Sequence, residues 1–282
     1  MKAIILAAGE GSRLRPYTAD RPKCLVELGG RTLLDWQIDT LRRSGIDVVV
    51  IGGYLAEMID RPDVRSYRNP RWRETNMVYT LWCAEAELAD DVIVSYADIV
   101  YEPRIVRALL AEPEDLAIVV DRQWERLWRM RYGDPLRDAE TLRIGPAGHL
   151  VEIGKKPSSL AEIDAQYIGL MRFRGDGLRS LRRTYEAARD EAHMGRTPWG
   201  LVRPFEMAYM TDLLQAMIDR GERLKAVLTD GGWFEIDSAG DYEMMRARFA
   251  DGTVRAVFDP DALGPPAGTS RPDRACSPAA AG

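Results

Sequence analysis

Short apolar runs recur along the chain, and between several of them apolar residues fall at helical spacing. Runs of four to eight apolar residues bounded by turn signals read as buried strands. The strand candidates are 3–6, 47–51, 92–96, 116–120, 167–173 and 224–228. The first connecting helix is the best specified. Thr32 followed by Asp35 makes a capping-box-like start, Leu34, Ile38 and Leu41 share one helical face, and Gly45 stands where a C-terminal stop is expected. Further helices are expected over 76–88 and 205–220. Strands alternating with helices predict an α/β fold, a mixed and mostly parallel sheet flanked by helices.

Two regions break the pattern. From 124 to 157 the periodicity weakens, and Tyr132-Gly-Asp-Pro135 and Gly145-Pro-Ala-Gly148 are turn signals. A small β-rich insertion with short antiparallel strands is expected there, over about 122–165. From 251 to 282 the chain is rich in Pro, Gly, Ala and Ser without an apolar period, which reads as a disordered tail after a single domain over 1–250.

Composition narrows the function. A chain of 282 residues, 46% hydrophobic and 29% charged, suits a globular enzyme. The net charge of -5 argues against a nucleic-acid partner, whose footprint would be basic. Positive charge is instead local, at Arg13, Arg15, Arg21 and Lys23 and again over 122–131, as a small anionic ligand requires. Cys24, Cys83 and Cys276 form neither a disulfide framework nor a metal-ligand spacing, and read as reduced thiols of a cytoplasmic protein. His149 and His193 stand apart from any Cys or carboxylate cluster, so zinc is not expected. No apolar run reaches membrane-span length, so no membrane partner is expected.

The chemistry concentrates at the first strand. Leu6-Ala-Ala-Gly9-Glu-Gly11-Ser-Arg13-Leu14 follows that strand directly, and Arg21-Pro-Lys23 follows shortly after. Glycines in such a turn let backbone N–H groups approach phosphate, and Arg13 and Lys23 add fixed positive charge. A dinucleotide fingerprint needs a third Gly where Leu14 stands, and the P-loop string is absent. A triphosphate ligand is the expectation that remains. Asp98 ends an apolar run, at the strand end where open α/β sheets bind ligands, although a turn or helix-cap role is an equal reading of that residue alone. Glu235 and Asp237 lie two apart and project from one face of a strand, while Asp241 fits the cap of a helix over 242–247.

The string from Lys2 through Leu14, with Arg21-Pro-Lys-Cys-Leu-Val26, resembles the nucleotidyltransferase superfamily that activates sugar phosphates and phosphocholine. Asn69-Pro-Arg-Trp-Arg-Glu-Thr-Asn76 resembles its phosphocholine and phosphonate cytidylyltransferase branch. Segments at 116–128, 138–142 and 162–169 resemble relatives that cytidylylate phosphorylated glutamine. The resemblance implies a Rossmann-like domain whose insertion covers the acceptor. It also implies transfer of a nucleotidyl group to a phosphate or phosphonate acceptor with release of pyrophosphate.

The branch favours CTP. Leu6, Ala7, Ala8, Gly9, Gly11 and Ser12 would hold the nucleotide, and Arg13 and Lys23 would be catalytic. Tyr54, in a Gly-Gly-Tyr stretch resembling the base-edge loop, would line the base pocket or pack beneath it. Asp98 and Asp237 match the family's metal-binding acids, and an all-oxygen site of this kind suits Mg²⁺. Trp124, Trp128, Arg129, Arg131, Tyr167 and Glu235 are the acceptor-binding candidates. The aromatics suit a quaternary ammonium, and the arginines suit a second anionic group. Core aromatics and a solvated helix face are the plainer alternatives for both sets. A hexose-1-phosphate nucleotidylyltransferase using UTP, dTTP or GTP is the alternative enzyme. A non-catalytic nucleotide-binding relative should lack one of Arg13, Lys23, Asp98 or Asp237, and all four are present.

Overall fold

The computed structural model describes residues 1–59 and 61–264. Strand β1 (Lys2–Ala7) sends alternate side chains to opposite faces of the sheet. Ile4 and Leu6 enter one apolar layer, and Ala3, Ile5 and Ala7 enter the other. A strand buried on both faces must be apolar throughout, which is why this run shows no alternation. The hairpin β2 (Glu27–Leu28) and β3 (Arg31–Thr32) then leads into α1 (Leu33–Arg43), where the Thr32 hydroxyl accepts from the Asp35 N–H as its sequence implied. Next come β4 (Asp47–Gly52), β5 (Arg65–Arg68), α2 (Met77–Trp82), β6 (Val92–Tyr96), β7 (Ile99–Tyr101) and α3 (Pro103–Ala111). They are followed by β8 (Leu116–Asp121), α4 (Trp124–Tyr132), β9 (Leu142–Ile144), β10 (Leu150–Ile153), β11 (Gln166–Phe173) and α5 (Gly175–His193). The last elements are α6 (Met210–Asp219), β12 (Lys225–Thr229), β13 (Trp233–Glu235) and α7 (Ala239–Asp251).

The main sheet has seven strands in the order β12-β8-β11-β6-β1-β4-β5. Only β11 is reversed, pairing antiparallel with β6 and β8. One face is covered by α2, α5 and α6 through residues such as Leu81, Leu181 and Leu213, and the other by α1, α3 and α4 through Ile38, Ile105 and Leu127. β9 and β10 form a separate antiparallel hairpin, and β7 pairs antiparallel with β13. No helix among the described residues is long and apolar enough to cross a membrane.

The structure amends the sequence reading at the edges. The insertion contains the expected hairpin but opens with a helix, α4, whose Trp124, Leu127 and Trp128 form a buried stripe. The helix expected over 76–88 stops at Trp82, and that over 205–220 begins only at Met210. The first part of the expected tail is ordered: Val254, Val257, Phe258 and Leu263 are buried in a third cluster with Leu14, Trp36, Phe234 and Ile236. Four apolar side chains gain more from this burial than the Pro and Gly composition suggests. The rest of the tail, 265–282, which includes Cys276, lies outside the described residues.

Candidate active site

Past β1 the chain enters a loop whose shape depends on glycine. Gly11 has φ 65°, and a Cβ there would sit 2.9 Å from Lys23 Cβ, so a side chain would displace the lysine. The Thr18 hydroxyl and the Leu14 N–H both donate to Gly11 O at 2.9 Å and hold the turn. At Gly53 a Cβ would lie 2.5 Å from Ala8 O, so glycine lets the end of β4 approach the loop closely.

The acids arrive by a different route. β7 and β13 pair with Ile99 opposite Glu235, and Ile236 N–H donates to Asp98 O at 3.0 Å. That register sets Asp98, just beyond β6, beside Glu235 and Asp237, more than a hundred residues later in the chain. Carboxylate oxygens of the three acids lie within 4.8 Å of one another. Lys23 Nζ sits between two of them, 2.8 Å from Asp98 Oδ2 and 3.0 Å from Asp237 Oδ1. Arg13 Nη2 is 2.6 Å from Asp237 Oδ2. Burial alone would lower the Lys23 pKa, but Asp98 and Asp237 outweigh it and raise the pKa above the usual lysine value.

Behind the acids lies a buried brace. Arg131, its side chain fully buried, donates to Glu235 Oε2 at 2.8 Å and Asp241 Oδ1 at 3.0 Å. Asp241 in turn accepts from the N–H groups of Asp237 and Ser238, so it caps α7 while fixing the backbone of Asp237. Burial would raise the Asp241 pKa; the bonds from Arg131 and Ser238 prevail and hold it below the usual carboxylate range. Glu235 moves the other way, pushed up by burial and by the charges of Asp98 and Asp237 against the pull of Arg131. Asp98 Oδ1 is buried without a hydrogen-bond partner among the described residues. An orphaned carboxylate oxygen within an all-oxygen donor set fits a hard divalent cation.

A cavity of about 450 Å³ opens over this cluster. Leu6, Ala7, Ala8, Gly9, Gly11, Ser12, Arg13, Lys23, Asp98 and Asp237 all line it. Trp72, Thr75, Asn76, Met77, Thr80, Tyr96 and Tyr209 line it too, and none of these seven was picked out singly from the sequence. The motif at 69–76 was a signal for three of them. Tyr209, next to the start of α6, carried no such signal.

Other expected positions fall elsewhere. Tyr54 does not itself line the cavity: its hydroxyl donates to Ala19 O at 3.1 Å, and its ring meets the cavity-lining Trp72 edge-on at 5.4 Å. Trp124 and Trp128 are core residues, each 4% exposed, with Trp128 against Trp233. Their i, i+4 spacing turns both toward the sheet, and neither lines the cavity. Arg129 is exposed and pairs with Glu125 one turn earlier. Arg131 is consumed by the brace. Tyr167 does not line the cavity but packs edge-on against Tyr96, at 5.7 Å. Glu235 stands with Asp98 and Asp237 in the acid cluster. Cys24 and Cys83 are free thiols, and burial pushes Cys24 up to about 12. His149 pairs with Glu114 at 2.8 Å, and neither histidine lines the cavity.

Comparison with known proteins identifies the family. Residues 3–223 match the MobA-like NTP transferase domain. A CTP:phosphoglutamine cytidylyltransferase of Campylobacter jejuni is 42% identical over 257 residues, covering 86% of this chain and 98% of that protein. A choline-phosphate cytidylyltransferase of Streptococcus pneumoniae is 32% identical over 54% of this chain and 67% of that protein. Among solved structures, CTP:phosphocholine cytidylyltransferase of Streptococcus pneumoniae superposes with TM-score 0.64 at 24% identity, covering 87% of this chain and 97% of that one. The inositol-1-phosphate CTP transferase of T. maritima gives 0.65 at 21% identity, over 89% and 96%. A glycine loop after the first strand, facing acids gathered from β6 and β13, is therefore set in a chain that belongs to the MobA-like NTP transferase family.

Proposed function

We propose that the protein is a cytidylyltransferase that moves CMP from CTP to the phosphate of a small acceptor and releases pyrophosphate. The observation that carries this is the convergence of Arg13, Lys23, Asp98 and Asp237 on one cavity, in a chain 42% identical to a phosphoglutamine cytidylyltransferase across nearly all of that protein. A phosphorylated glutamine-like acceptor is favoured, with phosphonates and phosphocholine as the neighbouring classes.

The reaction is an in-line displacement at the α-phosphorus. An acceptor phosphate oxygen forms the new P–O bond, the bond from the α-phosphorus to the bridging oxygen of the β-phosphate breaks, and pyrophosphate leaves with that electron pair. The attacking oxygen is already anionic at neutral pH, so no general base is needed. Catalysis then reduces to positioning and charge neutralisation. Backbone N–H groups of Gly9 to Arg13 cradle the triphosphate. Arg13 stabilises charge on the leaving pyrophosphate, and Lys23 contacts the α-phosphate. On nucleotide binding both cations exchange carboxylate partners for phosphate oxygens. Asp98 and Asp237 would hold Mg²⁺, with Glu235 beside them, and the ion when bound supplies Lewis-acid charge at the reacting phosphate.

The test is pyrophosphate release with each nucleoside triphosphate and Mg²⁺ against phosphoglutamine, phosphocholine, simple phosphonates and hexose 1-phosphates. The expected result is turnover with CTP and an acceptor from the first three classes. Turnover only with hexose 1-phosphates and UTP, dTTP or GTP would replace this reading with the sugar-activating one.

A further inference from the structure

The loop over 69–76 begins on a buried side-chain amide whose nitrogen and oxygen are both hydrogen-bonded. Asn69 is 0% exposed. Its N–H donates to Gly52 O at 2.7 Å, tying the loop to the end of β4. Its Nδ2 donates to Thr75 Oγ1 at 2.9 Å and to Thr80 Oγ1 at 3.0 Å, and its Oδ1 accepts from Arg71 N–H at 3.0 Å. The two hydroxyls pass the connection on: Thr75 Oγ1 donates to Arg71 O at 2.9 Å, and Thr80 Oγ1 donates to Asn76 O at 3.0 Å. Each hydroxyl has one hydrogen to donate, so both donors are spent inside the loop.

Thr75, Asn76 and Thr80 line the cavity; Asn69 does not. The wall is therefore shaped from behind. Asn76 is fixed on two further sides. Its N–H donates to Glu206 O at 2.8 Å, and its Oδ1 accepts from Met77 N–H at 2.8 Å as the cap of α2. With Oδ1 committed to the cap, Nδ2 is the free end of the amide. It donates to no protein group among the described residues.

We propose that Asn69 is a positioning residue for the nucleotide pocket, and that Asn76 Nδ2 is the donor it holds in place for an acceptor atom of the pyrimidine, O2 or N3. This rests on the nucleoside triphosphate reading of the cavity. The clamp acts by preorganisation. A wall frozen before binding loses little conformational entropy when the base arrives, and a donor with no internal partner has its hydrogen bond reserved for the ligand.

The test is isothermal calorimetry of the full chain with CTP and, separately, inorganic tripolyphosphate, both with Mg²⁺. Asn69→Ala and Asn76→Ala should each weaken CTP by about tenfold while leaving tripolyphosphate within about twofold. Thr80→Val should follow Asn69→Ala, and Thr80→Ser, which keeps the hydroxyl, should bind CTP like the unaltered chain. Equal losses for CTP and tripolyphosphate would mean general damage and overturn the clamp, as would unchanged CTP affinity in a folded Asn69→Ala chain. Should Asn69→Ala fail to fold, the Thr80 pair decides: equal CTP affinity of the Val and Ser variants overturns it. An unaltered chain that binds tripolyphosphate but no nucleotide would instead remove the reading on which the clamp rests.

Discussion

Lys23 has two separable duties at the residue scale. Its ammonium compensates Asp98 and Asp237 across bonds of 2.8 and 3.0 Å, and in the proposed reaction it serves the α-phosphate. Lys23→Ala should therefore lower turnover by about a hundredfold or more, because one charge leaves a partly dry site. It should also destabilise the fold by about 2–3 kcal/mol, because Asp98 loses its charge partner and Asp237 keeps only Arg13. Excess Mg²⁺ should restore much of the lost melting temperature and none of the turnover. A melting temperature indifferent to Mg²⁺ would exclude these acids as a cation site. Arg13 and Lys23 were legible because charge beside a glycine-rich turn is not explained by packing. Asp98 alone read equally as a turn or cap, and Asp98 and Asp237 were assigned through the family resemblance; Asp237 lies past the end of β13 and not on the expected strand. Trp124 and Trp128 were not, because residue type does not say which helix face meets the sheet. Arg131 was read as a ligand group although it is buried, since a basic residue near an expected site looks the same whether it faces a substrate or a carboxylate.

Elements are fastened at their ends, and Glu87 shows how. It lies in the short turn after α2 and is buried, accepting from Arg65 Nη1 and the Tyr67 hydroxyl on β5, each at 2.7 Å, and from Lys2 at the start of β1. Burial would raise its pKa, but these three donors prevail and bring it down to about 2. A carboxylate depressed in the fold stabilises it above the unfolded value of about 4.3, and that contribution disappears as the pH falls through the folded value. Glu87→Gln should cost about 2 kcal/mol at pH 7, and the gap between the two chains should close as urea unfolding is repeated down toward about pH 2. A gap constant with pH would mean that shape matters here and charge does not. The strands of the main sheet were mostly legible, since runs such as Ile4-Ile5-Leu6 admit no other partner than a second buried layer. The edge strand β5, Arg-Ser-Tyr-Arg, was not, because half of its surroundings are water. Nor was α5, whose buried Leu178, Leu181 and Tyr185 are diluted by arginine and acidic residues on its outer face.

The whole molecule closes through the last described segment. Val254, Val257, Phe258 and Leu263 complete the apolar cluster that holds Leu14 beneath the glycine loop and Phe234 and Ile236 on either side of Glu235. Phe258 meets Trp36 edge-on at 5.5 Å and Phe234 at 5.2 Å, so one side chain joins α1 to the strand that delivers the acids. Residues past α7 thus pack against the strand that carries Glu235, and compositional reading assigned them no structure because Gly252, Pro260 and Gly264 interrupt a run with no apolar period. Burying four such side chains contributes about 5 kcal/mol or more, comparable with the net stability of a domain. A chain ending at Asp251 should melt at least about 10 °C below one ending at Gly264, and it should lose CTP-dependent pyrophosphate release at temperatures where both remain folded. The second half of that expectation is the discriminating one. If the shorter chain melts early yet turns over normally below its transition, the cluster is a stabilising appendage; if turnover falls first, the segment is what keeps Asp98, Glu235 and Asp237 in register with the glycine loop.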